Sequence, residues 1–161
     1  RVQQGLGTFV EEQAGIAEPL PQRLKRAQFE DLDEVRQLME LKIAQKAALN
    51  RTEEDIERMK AALKKRKEYG AANDVAACID ADIEFHLAIA QASNNSILMD
   101  LYKTVAMHLK AKFLERFKTT DTFINTQQLH KNLLNNIVAQ DDQKAWQCVQ
   151  KIIDHNDSKY L

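Results

Sequence analysis

The sequence predicts an all-α protein: an antiparallel bundle of about six helices preceded by a short β-hairpin remnant. Three observations carry this expectation. The 161 residues hold only four glycines and two prolines, and from residue 22 onward Gly70 is the single breaker. Apolar residues then recur three and four apart in segment after segment, which is the period of a helix with one buried face. The segments are joined by connections of a few residues, and short links between long helices favour antiparallel neighbours.

Residues 1–10, RVQQGLGTFV, differ from the rest: Gly5 and Gly7 bracket a tight turn, and Thr8, Phe9 and Val10 favour a strand. They read as the second half of a hairpin. Arg1 stands first instead of methionine, so the expectation is a piece of a longer protein. Residues 11–28 form a linker marked by Gly15, Pro19 and Pro21. The helical domain occupies 29–161.

Its first helix is expected from Phe29 or Glu30 to Ala48, with Leu32, Val35, Met39, Ile43 and Ala47 as the inner stripe and Arg36 and Glu40 at its border. Thr52 starts the second, which reaches Tyr69 and has Asp55 where a capping box places its acid. Acids in the first turn and the run Lys64 to Lys67 in the last oppose the helix dipole, so that run reads as a solvated terminus. Gly70 closes the helix and Asn73 caps the third, which runs to Ala92. The fourth, capped by Asn95, turns Leu98, Leu101, Val105, Leu109 and Phe113 inward and ends near Lys118. Asp121 caps the fifth, to Ala139, and Asp141 the sixth, with Ala145, Val149, Ile152 and Ile153 inside.

A formal net charge of −1 argues against a free-standing nucleic-acid binder, because duplex affinity rests on neutralising phosphates. Cys78 and Cys148 match no metal or redox spacing and read as small core residues of a reduced, cytoplasmic protein. No apolar run approaches the roughly twenty residues needed to cross a bilayer.

The third helix carries the chemistry. Asp82 and His86 are four apart, one above the other on a helix, beside the stripe of Ile83, Leu87 and Ala90. The bland alternative is a surface-edge pair that only supports its own helix. The four histidines, at 86, 108, 130 and 155, fall near the inner edges of four different helices, and imidazoles converging with a carboxylate suit Zn, Ni, Mn or Fe(II). HExxH, paired Glu-x-x-His motifs, phosphate-binding glycine loops and GxSxG are absent from the sequence, which disfavours an enzyme.

These segments also resemble a known family. RVQQGLGTFV resembles the wing of the winged helix-turn-helix domain in GntR-type transcriptional regulators. The remainder is similar to the effector-binding FCD domain of the FadR subfamily. DLDEVRQLMELKIAQKAA matches its first-helix pattern of an arginine and an acid four residues on, here Arg36 and Glu40. DIEFHLAIAQASNN resembles its Asp-x-x-Phe-His motif followed by Ala-Ser-x-Asn, met by Asp82, Phe85, His86, Ala92, Ser93 and Asn95. HKNLLNNIVAQDDQKAW is similar to a third segment, met by His130, Leu133, Leu134, Ile137, Asp141 and Ala145.

The resemblance implies a ligand-responsive transcriptional regulator, usually a homodimer and not an enzyme. Its bundle would hold a divalent metal, with zinc foremost and nickel or manganese as alternatives, on Asp82, His86 and His130. A small organic acid would bind the metal and Arg36, with His108 a further effector contact or simply a packed histidine. The family's fourth ligand place falls on Ile152, with His155 three residues beyond. A three-ligand site completed by water and a metal-free cavity both remain open. Arg1 and Gln4 of the wing would touch operator DNA in the intact protein. Two rival readings stand beside this one: a metal-free sensor of an apolar or acyl effector, and a metal-dependent helical enzyme.

Overall fold

The computed structural model describes residues 18–157, so the hairpin expected over residues 1–10, with Arg1 and Gln4, lies outside the described residues. Seven helices fill what is described: α1 (Leu20–Arg26), α2 (Phe29–Asn50), α3 (Glu53–Ala71), α4 (Val75–Ala92), α5 (Ser96–Arg116), α6 (Asp121–Val138) and α7 (Asp142–Asp157). The all-α bundle is as the sequence predicts, with one addition. Two turns of helix form in the stretch read as linker, because Pro19 and Pro21 sit at the N-cap and in the first turn, where a missing N–H costs no helical bond.

Polar side chains set most of the helix starts. Thr52 and Asp55 form the expected capping box, each side chain accepting from the other's backbone N–H. Asn95 accepts from the Leu98 N–H, and Asp141 from that of Lys144. Two expected caps move by one residue. The cap of α4 is Asp74, which accepts from the Ala77 N–H. Asn73 is left-handed instead (φ 54°), a conformation asparagine tolerates, and its Oδ1 accepts from the Thr120 N–H. At α6 the N-cap position is Thr120, whose hydroxyl donates to the Gly70 carbonyl, so Asp121 begins the helix proper.

Helix α2 lies against α4, α5, α6 and α7, while α3 pairs with α4 and also meets α6. The core between them contains Ile43, Ala47, Met59, Phe85, Leu133, Ile137, Val149 and Ile152. Alanines at 44, 47 and 48 let α2 approach its neighbours closely. Cys78 and Cys148 are buried free thiols, and burial pushes Cys78 up to about 11, which leaves it a protonated packing group.

Two residues expected on inner stripes face outward: Val35 is 46% exposed and Leu101 48%. On α2 the inward band runs through Leu32, Arg36, Glu40, Ile43 and Ala47, all within about 80° at 100° per residue. Val35 falls outside it because two charged residues take the inner place.

The capping box fixes the entry to α3, so Thr52→Ala, which removes its hydroxyl, should lower stability by about 1 kcal/mol. A urea titration should show a lower midpoint with an unchanged slope.

Candidate metal and effector site

A cavity opens where helices α2 to α7 meet. Asp33, Arg36, Arg66, Asp82, His86, His130, Ile152 and Asn156 line it, with Phe29, Phe113, Phe117 and Phe123 among its apolar walls. Its volume is about 40 Å³. That is room for a very few waters or one hydrated ion, well short of a drug-sized ligand.

Helix α4 supplies Asp82 and His86 from adjacent turns, and α6 brings His130 against them. One donor atom from each lies within 4.8 Å of the others. His86 Nε2 and His130 Nε2 are 3.3 Å apart, and His130 Nε2 is 3.5 Å from Asp82 Oδ1. His86 and His130 are buried, so the Asp82–His86 pair is no surface-edge feature.

The far nitrogens orient the rings. His130 Nδ1 lies 2.8 Å from the Thr126 carbonyl, which can only accept, so Nδ1 carries the proton and Nε2 presents its lone pair. Burial, with Arg66 close by, holds His130 well below its ordinary value and therefore neutral. His86 Nδ1 lies 3.5 Å from Glu40 Oε1. An imidazole backed by a carbonyl or carboxylate is the usual support of a metal ligand.

Arg36 and Glu40 pair as the sequence suggests, but inside the fold. The Arg36 side chain is 11% exposed; it donates from Nη1 to Glu40 Oε1 (2.9 Å) and from Nε to Asp33 Oδ1 (2.8 Å). Burial alone would lower the arginine, yet Glu40 and Asp33 outweigh it and raise it further, so the guanidinium stays charged. Tyr102 donates to the same Glu40 oxygen (2.7 Å), its hydroxyl held well above the ordinary value by burial and by that carboxylate. Glu40 Oε2 and Asn156 Oδ1 are buried acceptors without a hydrogen-bond partner, and Asn156 lines the cavity.

Sequence reasoning missed Arg66. The run Lys64 to Lys67 was expected to be a solvated terminus, but Arg66 is 2% exposed. Its Nε donates to Asp82 Oδ1 (2.6 Å), Nη1 to the Phe123 carbonyl and to Gln127 Oε1 (both 2.7 Å), and Nη2 to Thr126 Oγ1 (2.9 Å). Burial would raise the Asp82 carboxyl, but Arg66, with the two imidazoles, holds it well below the carboxylate range. The signal was spacing: Arg66 continues the row of Ile56, Met59, Leu63 and Gly70 that α3 buries.

Two other positions resolve differently. Ile152 is 3% exposed and faces the cavity, as the family pattern implied for its fourth place. On α7 it is Asn156, not His155, that joins Ile152 in the lining. His108 is not part of the lining either, and its Nδ1 lies 2.7 Å from the Thr104 carbonyl one turn back on α5.

The sequence pattern described as the FCD domain matches residues 31–155. The chain belongs to the FCD domain family. It is 37% identical over 123 residues to the HTH-type transcriptional regulator LutR of Bacillus subtilis, which covers 74% of this chain and 53% of that protein. It is 41% identical over 73 residues to the Uxu operon transcriptional regulator of Escherichia coli, which covers 45% of this chain and 28% of that one. The chain thus spans about half the length of the first relative and less of the second. Two solved structures share the fold. E. coli McbR/YncC has a TM-score of 0.71 at 21% identity, over 80% of this chain and 62% of that one. Streptococcus agalactiae GntR has a TM-score of 0.70 at 20% identity, over 99% and 74%. At such identities the likeness is one of fold alone.

The state of His130 in this FCD domain sets a pH dependence. Because its folded value is depressed, the unfolded chain binds a proton below about pH 6.5 that the folded chain does not. Stability from this residue is full above that pH and falls as the pH drops. In metal-free protein, His130→Gln should lose about 1 kcal/mol less than wild type between pH 7 and 5.5. Urea titrations at the two pH values would show it, and equal losses in both proteins would contradict it.

Proposed function

We propose that this FCD domain is the sensing part of a ligand-responsive transcriptional regulator of the GntR family, and that it recognises a small organic acid through a divalent metal. The observation that carries the reading is the spacing of the two Nε2 atoms, 3.3 Å, beside a carboxylate oxygen and a buried arginine. Two donors about 2.1 Å from a tetrahedral zinc stand about 3.4 Å apart. With the His86 proton held on Nδ1, on the side of Glu40, both Nε2 lone pairs face one another, and a cation between them removes the repulsion. Asp82, His86 and His130 would hold the ion, with zinc foremost and nickel or manganese as alternatives. When bound, the metal would offer open positions to a carboxylate.

Arg36 is the partner for that carboxylate, since a guanidinium fork matches it bidentately. In the closed cavity Asp33 occupies the fork, so an effector acid takes the place of the Asp33 carboxylate and the cavity widens around it. Helix α2 carries both residues and follows directly from α1 and the segment toward the DNA-reading domain. A shift of α2 is therefore a route by which effector binding alters operator affinity. The unpaired Oδ1 of Asn156 suits a hydroxyl on the acid, which directs attention to hydroxy and sugar acids.

The reading includes a homodimer in the cytoplasm. Helices α2 and α5 expose Leu38 (64%) and Ile97 (67%), apolar positions that a second copy would cover. Among the described residues no helix is long and apolar enough to cross a membrane. A metal-free sensor of an apolar or acyl effector is the second reading, favoured by Ile152 and the phenylalanines of the lining. Both relatives are named as transcriptional regulators, and an enzymatic role is not proposed.

Elemental analysis of protein equilibrated with a hydroxy acid and with zinc, nickel and manganese should find about one ion per chain, lost in His86→Ala. Arg36→Ala should keep the metal but weaken binding of a hydroxy acid at least tenfold by calorimetry. Equal metal content in wild type and His86→Ala would overturn the site.

A further inference from the structure

Arg66 puts a fixed cation against the proposed metal centre. Four of its five N–H groups have acceptors, three of them on Phe123, Thr126 and Gln127 of α6, and its Cζ lies 5.3 Å from the Phe123 ring centre. The guanidinium is therefore locked in place and cannot swing aside when an ion arrives. It holds Asp82 Oδ1, the same oxygen that faces His130 Nε2. A carboxylate oxygen already accepting a charge-assisted bond at 2.6 Å has less to offer a second cation, and a guanidinium so near repels a divalent ion. Across the cavity Ile152 supplies no donor at all. Both features act in the same direction.

The charges around the cavity point the same way. Asp33, Glu40 and Asp82 face Arg36 and Arg66, which leaves one net negative charge among the carboxylates and guanidiniums. A divalent ion turns that into one positive charge in a buried place, and one carboxylate returns it to zero. Ion and acid each favour the other.

We propose that Arg66 is an affinity-setting residue of this centre: by holding Asp82 it keeps the divalent ion weakly bound and exchangeable, so that the ion is retained chiefly together with an anion. The proposal rests on the metal centre described above and adds a cation that tunes it. It makes the chain a sensor of the ion and the acid as a pair.

The test is titration of Zn²⁺ alone against a chromophoric chelator in carboxylate-free buffer, with wild type, Arg66→Gln and Arg66→Lys, each checked for fold by circular dichroism. Arg66→Gln should bind zinc at least tenfold more tightly than wild type. Arg66→Lys, which keeps the charge, should stay near wild type. Adding acetate should tighten zinc binding to wild type severalfold, a readout that stands even if Arg66→Gln fails to fold. Unchanged or weaker zinc binding in folded Arg66→Gln, with wild type still binding, overturns the role of Arg66 and leaves the metal centre standing. Zinc that survives dialysis of wild type against chelator overturns it as well, and so does acetate without effect. Absence of zinc binding in every variant removes the metal centre and this inference with it.

Discussion

Carboxylates inside a helical bundle require cations beside them, and here Arg36 and Arg66 supply those cations. Arg36 is clasped by Asp33 and Glu40 of its own helix, and Arg66 of α3 is clasped by Asp82 of α4 and by three groups of α6. A buried carboxylate without a partner would cost several kcal/mol. The two guanidiniums therefore hold open a polar centre that an apolar core of this size would otherwise close. Each also lies near a phenylalanine ring, Arg36 by Phe113 and Arg66 by Phe123, so the polar centre is walled by aromatic surface.

The two arginines differ in what they can release. Arg36 is held by neighbours three and four residues away on one helix, so the proposed acid would compete with a single local partner, Asp33. Arg66 ties α3 to α4 and α6, and losing it would loosen three helices at once. The first suits the proposed exchange with a carboxylate, and the second the proposed setting of the field at Asp82, His86 and His130. In this account sensing is a local exchange on α2 inside a scaffold that α3, α4 and α6 keep rigid.

Much of this was legible in the sequence because helical period and capping chemistry are local. Thr52, Asn95 and Asp141 mark helix starts by side-chain type alone, and Asp82 and His86 share a face by spacing alone. His130 joins them only through the packing of α6 on α3, which residue spacing does not encode; the family resemblance supplied that link. Arg66 is masked in the sequence because three lysines flank it and the run suits a dipole-opposing terminus, although its register with Met59 and Leu63 places it inside. Val35 was misplaced for the complementary reason. An apolar residue looks like core until the charged residues beside it are seen to have a cavity to face.

The most direct test of the account is anomalous diffraction at the metal edge from crystals of the protein grown with zinc and a hydroxy acid. One peak is expected within bonding distance of His86 Nε2, His130 Nε2 and the Asp82 carboxylate, with density for the acid reaching Arg36 in place of Asp33. A cavity with no anomalous peak, in which Asp33 still holds Arg36 under saturating zinc and acid, would contradict it.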